Sequence, residues 1–132
     1  MTALAYEIET DYNEPKIEKR YLQNLLLSLG VPPNVNGYIY IVYALELISQ
    51  DPSCIKSVTK GLYIDEAKHF KTNPACVERG IRHAIHISWK YGNKELLDEI
   101  FKNYIRPNKP IPTNTVFLAR LYYYITNRED VR

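Results

Sequence analysis

N-P-A-C-V-E-R-G-I-R-H-A-I-H-I-S-W-K-Y-G, residues 73 to 92, is the stretch on which the fold turns. Asn73 suits a helix N-cap, and Pro74 at the first helical position has a preset φ and no N–H to leave unpaired. Gly92 is placed to supply the left-handed position that stops a helix. At about 100° per residue, Val77, Ile81, Ala84, Ile85, Ser88 and Trp89 fall on one side, and that side is core. The other side carries Ala75, Cys76, Arg79, Arg82, His83, His86 and Lys90, with Glu78 on its flank. Two Arg, one Lys and two His with no acid at the centre form a face suited to a polyanion.

The residues just upstream extend the pattern. Ile64 to Phe70 reads as a short helix, with Ala67 as a small residue where two helices can cross closely. Lys71 and Thr72 then connect tightly into the Asn73 cap. Short helix, tight turn, longer basic helix is the outline of a helix-turn-helix, although helical hairpins in general share it. On physical grounds Lys68, Lys71 and Thr72, beside the turn, are candidate phosphate contacts. Glu78 stands four residues before Arg82, which suits both an ion pair along the helix and acceptance from a cytosine amino group.

Several separated motifs share a family pattern: L-Y-I-D-E-A-K-H-F at 62 to 70, V-E-R-G-I-R-H-A-I at 77 to 85, G-V-P at 30 to 32, G-Y-I-Y at 37 to 40 and S-V-T-K-G-L-Y at 57 to 63. Trp89, G-N at 92 to 93, P-T-N at 112 to 114, Phe117 and Ala119 continue it downstream. From about Leu25 to Tyr124 the spacing needs no gaps. In these motifs the chain resembles the C-terminal DNA-binding effector domain of the sporulation response regulator, stage zero sporulation protein A.

The resemblance implies that Glu78 and Arg79 belong to a base-reading set, with Arg79 the first choice for a bidentate guanine contact. It implies that Arg82 and His83 approach the phosphate backbone; His86, on the same face, joins them. Cys76 stands where the family has another base-reading arginine, so the recognition sequence is expected to be altered or relaxed. Pro74 and Ala75 replace small polar residues, and Gly80 stands for an alanine at a core-adjacent position. The resemblance also implies binding to double-stranded DNA, a homodimer on tandem sites and contact with the RNA polymerase sigma subunit through 93–106. Family regulators carry a receiver domain ahead of the effector; here only a short acidic tail precedes it. The expectation is either a fragment or a stand-alone protein without phosphorylation control.

The rest of the chain is read as helices. At 132 residues and 45% hydrophobic content it suits one domain with a substantial core. Met1 to Pro15 reads as an acidic flexible tail and 16–132 as the effector domain. Lys16 to Leu29 is a helix through Ile17, Tyr21, Leu22, Leu25, Leu26 and Leu29, ended by Gly30, Pro32 and Pro33. Gly37 to Gln50 follows, with Tyr38, Ile41, Val42, Leu45 and Ile48 inward, and then a short helix from Cys54 to Gly61. Asn93 caps another short helix whose inward set is Leu96, Leu97, Ile100 and Phe101. Asn103 to Pro112 is too proline-rich for helix. Thr113 or Asn114 caps a last helix to about Thr126, apolar or aromatic nearly all round and expected to be buried on two sides. With no strand-period segments, the fold class is all-α, a compact bundle of about six or seven helices containing a helix-turn-helix.

Net charge is only +2, but it is unevenly spread. Residues 1–55 hold three Lys or Arg against seven acids, and 56–109 hold eleven against six. The basic excess lies on the proposed reading module. No apolar run approaches the ~18 to 20 residues of a membrane span, and no secretory leader follows Met1; a cytoplasmic protein is expected. Cys54 and Cys76 form no C-x-x-C pair and read as reduced, Cys54 in the core.

Enzymatic chemistry is thinly represented. Cys76 lies two turns before His83, ~10.5 Å along the axis, which makes a metal site with His83 and His86 awkward. No base faces Cys76 as a nucleophile, and Gly-rich phosphate loops and paired catalytic carboxylates are missing from the sequence. Neither catalysis, cofactor nor metal is expected. The rival to a DNA reader is a protein-interaction module of the same fold, favoured by the weak net charge, Cys76 and the Tyr122 to Tyr124 cluster. An RNA reader fits less well, because the A-form major groove is too narrow for this helix.

Overall fold

The computed structural model describes residues 17–102 and 107–130, the side chains of 128–130 excepted. The acidic tail to Pro15, the helix start at Lys16 and the connector residues Asn103 to Arg106 lie outside the described residues. Among the described residues six α-helices follow one another: α1 (Lys19–Ser28), α2 (Asn36–Gln50), α3 (Tyr63–Phe70), α4 (Pro74–Tyr91), α5 (Lys94–Phe101) and α6 (Asn114–Asp130). No strand forms among the described residues, so the bundle is all-α as expected.

One hydrophobic core serves all six helices. Leu22, Leu26 and Leu29 from the α1 end, Ile41, Leu45 and Ile48 from α2, Ile81 and Ile85 from α4, Phe101 from α5 and Phe117 from α6 are all essentially solvent-free. These are the apolar positions that the helical period assigns to one face of each element. Trp89, Phe101 and Phe117 join α4, α5 and α6 through ring contacts, with Phe101 and Phe117 stacked at 5.1 Å.

Helix α4 is seated on α2 at a pair of glycines. A β-carbon on Gly37 would lie 2.2 Å from the Gly80 carbonyl oxygen, and one on Gly80 would lie 2.8 Å from the Tyr40 ring. Backbones this close leave no room for side chains between them. At its other end α4 is held by α1: the Ser88 hydroxyl donates to the Leu29 carbonyl, and the Asn93 N–H donates to that of Ser28 at 3.2 Å.

Gly92 departs from expectation. Its φ of −76° and ψ of 170° are extended, not left-handed. The glycine is needed for proximity, since a β-carbon there would sit 2.3 Å from the Leu29 carbonyl oxygen. The left-handed glycine is Gly30, at φ 82°.

The short helix expected from Cys54 to Gly61 is a 3-10 turn, Pro52–Ser57, that opens into a π-helical turn, Val58–Leu62, and runs directly into α3. Asp51 starts it by accepting from the Ser53 N–H at 3.2 Å. Gly61 does not end it. The wider turn, closed by the Tyr63 N–H on the Val58 carbonyl, aims Val58, Leu62 and Tyr63 together into the core, where all three are buried. Cys54, expected in the core, is half-buried and packs against it.

Thr113 caps α6, its hydroxyl accepting from the Val116 N–H at 3.3 Å. The helix passes Thr126 and runs on to Asp130; Thr126 returns its hydroxyl to the Tyr122 carbonyl and so stays within the helix. Phe117, Leu118, Leu121, Tyr122 and Ile125 are buried, while Tyr123 is 47% exposed. Among the described residues no helix is long and apolar enough to cross a membrane.

Candidate nucleic-acid interface

The entry to α4 is built by local chemistry. Helix α3 ends at Lys71, which takes the left-handed conformation at φ 58° and ψ 49°. The Thr72 N–H then donates to the Ala67 carbonyl at 2.9 Å, which satisfies a carbonyl the ending helix would leave open. One residue later the Asn73 side chain accepts from the Cys76 N–H at 2.9 Å, with Pro74 at the first helical position. A cap of this kind contributes about 1 kcal/mol. Three residues thus turn the chain from a short helix into an 18-residue one.

Seated on α2 and pinned by α1 and α6, α4 buries Val77, Ile81, Ala84, Ile85 and Ser88. Arg79, Arg82, His83 and His86 stand exposed on the other side, with Ala75 and Lys90; Cys76 and Glu78 are half-buried on its flanks. Lys68 and Lys71 are exposed beside the turn, and Thr72 is half-buried.

Most of these residues divide between two clefts. The first, about 550 Å³, brings Thr72, Cys76, Arg79 and His83 together against Asn34 of the α1–α2 connection and Asn36 at the start of α2. The second, about 380 Å³, brings Glu78, Arg82 and His86 together against Lys109, Thr113 and Thr115. The outward face of α4 is therefore a ridge with a hollow on either side. Lys68 and Lys71 line neither hollow.

Within the ridge, both arginines already have partners. Glu78 and Arg82 form the ion pair that their spacing allows. Arg79 reaches back one turn to donate to the Cys76 sulfur at 3.7 Å. Hydrogen bonding from the Thr72 side chain and the Arg79 charge hold the Cys76 thiol below its ordinary value. Among the described residues no three His, Cys, Asp or Glu side chains gather as a metal group.

Three features escaped the sequence reading. Asn34 and Lys109 flank the ridge from connecting segments, and Asn36 from the first position of α2, where no helical period marks them. Asn114, placed by sequence at a cap, is buried, and its amide donates to the Tyr63 hydroxyl at 2.9 Å and to the Glu78 carbonyl at 3.0 Å. Glu66 on α3 is fully buried with no hydrogen-bond partner for either carboxylate oxygen, and burial pushes its pKa up to about 9. Its place inside L-Y-I-D-E-A-K-H-F gave no sign of this.

Residues 22–125, more than three-quarters of the chain, match the family model described as sporulation initiation factor Spo0A C terminal.

Proposed function

The chain belongs to the Spo0A C-terminal family, whose domain is the DNA-binding effector of sporulation regulators, and from that membership we propose that it reads duplex DNA sequence-selectively and thereby controls transcription. The observation that carries this is the α4 ridge. Its inner side is buried against neighbouring helices, while Arg79, Arg82, His83 and His86 project from the outer face. A helix-turn-helix uses such a helix in the major groove, which admits an α-helix and displays a distinguishable donor and acceptor code.

Arg79 is assigned the bidentate guanine contact, and Glu78 a cytosine amino group. Both must leave their present partners to do so: Arg79 leaves Cys76, and Glu78 leaves Arg82. Release of Arg82 frees a cation for phosphate. Lys68, Lys71, Thr72, His83 and His86 are assigned phosphate contacts along the same track. Cys76, which cannot reproduce an arginine's paired donors, relaxes or changes the base preference at its position. Residues 16–132 are taken as the effector unit, acting in the cytoplasm; a homodimer on tandem sites and a sigma-subunit contact through 93–106 complete the proposal.

Fluorescence anisotropy with a labelled duplex carrying the family's recognition box, a scrambled duplex and duplexes drawn from a random pool tests this. Preference for one sequence is expected, with affinity falling steeply as salt rises. The double variant Arg79→Glu, Arg82→Glu should lose retention while keeping its helical spectrum. Sequence-independent weak binding, unchanged in that variant, would refute DNA reading and leave the protein-interaction module.

A further inference from the structure

The buried junction of Tyr63, Asn114 and Glu78 joins three elements at the level of the reading residues. Tyr63 opens α3, the helix before the turn; Asn114 opens α6; Glu78 lies in the first half of α4. The Asn114 amide donates to both the Tyr63 hydroxyl and the Glu78 carbonyl oxygen, at 2.9 and 3.0 Å. Asn114 is 8% exposed and Tyr63 5%. Bonds in such a setting are shielded from competing water and hold geometry more firmly than surface ones.

The second acceptor is a main-chain carbonyl within α4, not a side chain. An amide bonded there fixes where the backbone of Glu78 sits, and through it the neighbouring Arg79. The segment that presents Asn114 is itself stiff. Pro110 and Pro112 restrict the approach, Thr113 caps α6, and Phe117 one turn later is fully buried against Phe101. The lever from the core to the reading face is therefore short.

We infer that Asn114 is a positioning residue for base reading, which sets the Glu78 backbone so that Glu78 and Arg79 meet base edges in register. This rests on the DNA reading proposed above and adds that α6, which carries no residue assigned to DNA, controls its selectivity. A bidentate contact depends on both of its hydrogen bonds aligning at once, so a small displacement weakens it while phosphate attraction persists. Loss of the Asn114 amide should thus reduce discrimination and spare general affinity.

The test uses the whole chain, Asn114→Ala and Tyr63→Phe. Tyr63→Phe keeps the bond to Glu78 and removes only the phenolic partner. Each is titrated by anisotropy against the wild type's selected duplex and a scrambled one, at a temperature where circular dichroism shows it folded. Asn114→Ala is expected to lose about tenfold or more of the preference ratio, the scale of one specific base contact, with scrambled-duplex affinity within about twofold. Tyr63→Phe is expected to keep its ratio within about threefold. If Asn114→Ala does not fold, Asn114→Ser, too short to reach both partners, reads the same difference. An unchanged ratio in the Asn114 variant, or equal losses in both variants, would overturn the inference and leave a structural bond. A wild type with no preference for any duplex would instead overturn DNA reading itself.

Discussion

Substituting Glu66 by glutamine should make the protein more stable, and increasingly so as pH rises. The Glu66 carboxyl is fully buried, neither oxygen has a partner, and its surroundings include the phenols of Tyr40 and Tyr63. Desolvation disfavours the charged form, raising the group from 4.5 to about 9. Below the unfolded value both states hold the proton, and stability is at its full level. Above it the unfolded chain releases the proton while the folded chain keeps it, so stability falls with rising pH until the folded group also ionises near 9. At about 1.4 kcal/mol per unit, the loss is about 1 kcal/mol at pH 5, about 3 at pH 7 and nearly 5 at pH 8. Glutamine keeps the shape and does not titrate. Urea unfolding followed by far-ultraviolet circular dichroism, at pH 5 to 8 for both proteins, should show a gap that opens by these amounts. Glu66→Leu should add a further gain of about 1 to 3 kcal/mol, because it removes the unpaired polar atoms as well. A gap that stays constant across pH would refute the reasoning, since it would mean that Glu66 is ionised in the folded state or finds a partner there.

Further substitutions test the interface and the packing beneath it. Cys76→Arg should add a guanidinium to the proposed reading face and sharpen preference by about 1 to 3 kcal/mol toward a guanine-containing site, seen in a selection from random duplexes; no change in preference or affinity would remove Cys76 from the proposed reading set. Lys71→Gly relieves a left-handed backbone and should raise the thermal midpoint by a few degrees, about 0.5 to 1 kcal/mol. The same change should lower the dependence of log affinity on log salt by about one unit, the share of one phosphate contact. Gly37→Ala places its β-carbon against a carbonyl of α4 and should cost about 1 to 3 kcal/mol in urea unfolding, more than Gly80→Ala, which meets a Tyr40 ring able to shift.

Much of this architecture was legible because its determinants are local. Asn73 and Pro74 define the start of α4 by hydrogen-bond chemistry that belongs to neighbouring residues, and the structure shows that cap. The 3.6 period assigned Val77, Ile81, Ala84 and Ile85 to the core for the same reason: a helix cannot bury one member of the stripe without the others. The Glu78–Arg82 spacing left two partners open, and the folded chain takes the ion pair. What escaped the sequence depends on contacts distant along the chain. Gly92 looks like a helix stop whether it is needed for a positive φ or for closeness to Leu29, and only the packed chain separates the two. Asn114 carries the side chain of a cap, yet its amide is engaged 36 residues away.

On the proposed reading, the buried features bear on selectivity more than the exposed ones do. Surface cations set how strongly a chain holds DNA, and any of several arrangements along the ridge would serve. Selectivity demands that Glu78 and Arg79 stand at one height and one angle, and the contacts they make on the exposed face, with Arg82 and Cys76, are the ones that the proposed reading must break. The enforcement comes from below: the Gly37–Gly80 approach sets the depth of α4, the Ser88 bond to Leu29 holds its far end, and the Asn114 amide holds Glu78. Variants at these sites should therefore separate holding from reading, which substitutions of the basic side chains themselves cannot do, because each of those removes charge and geometry together.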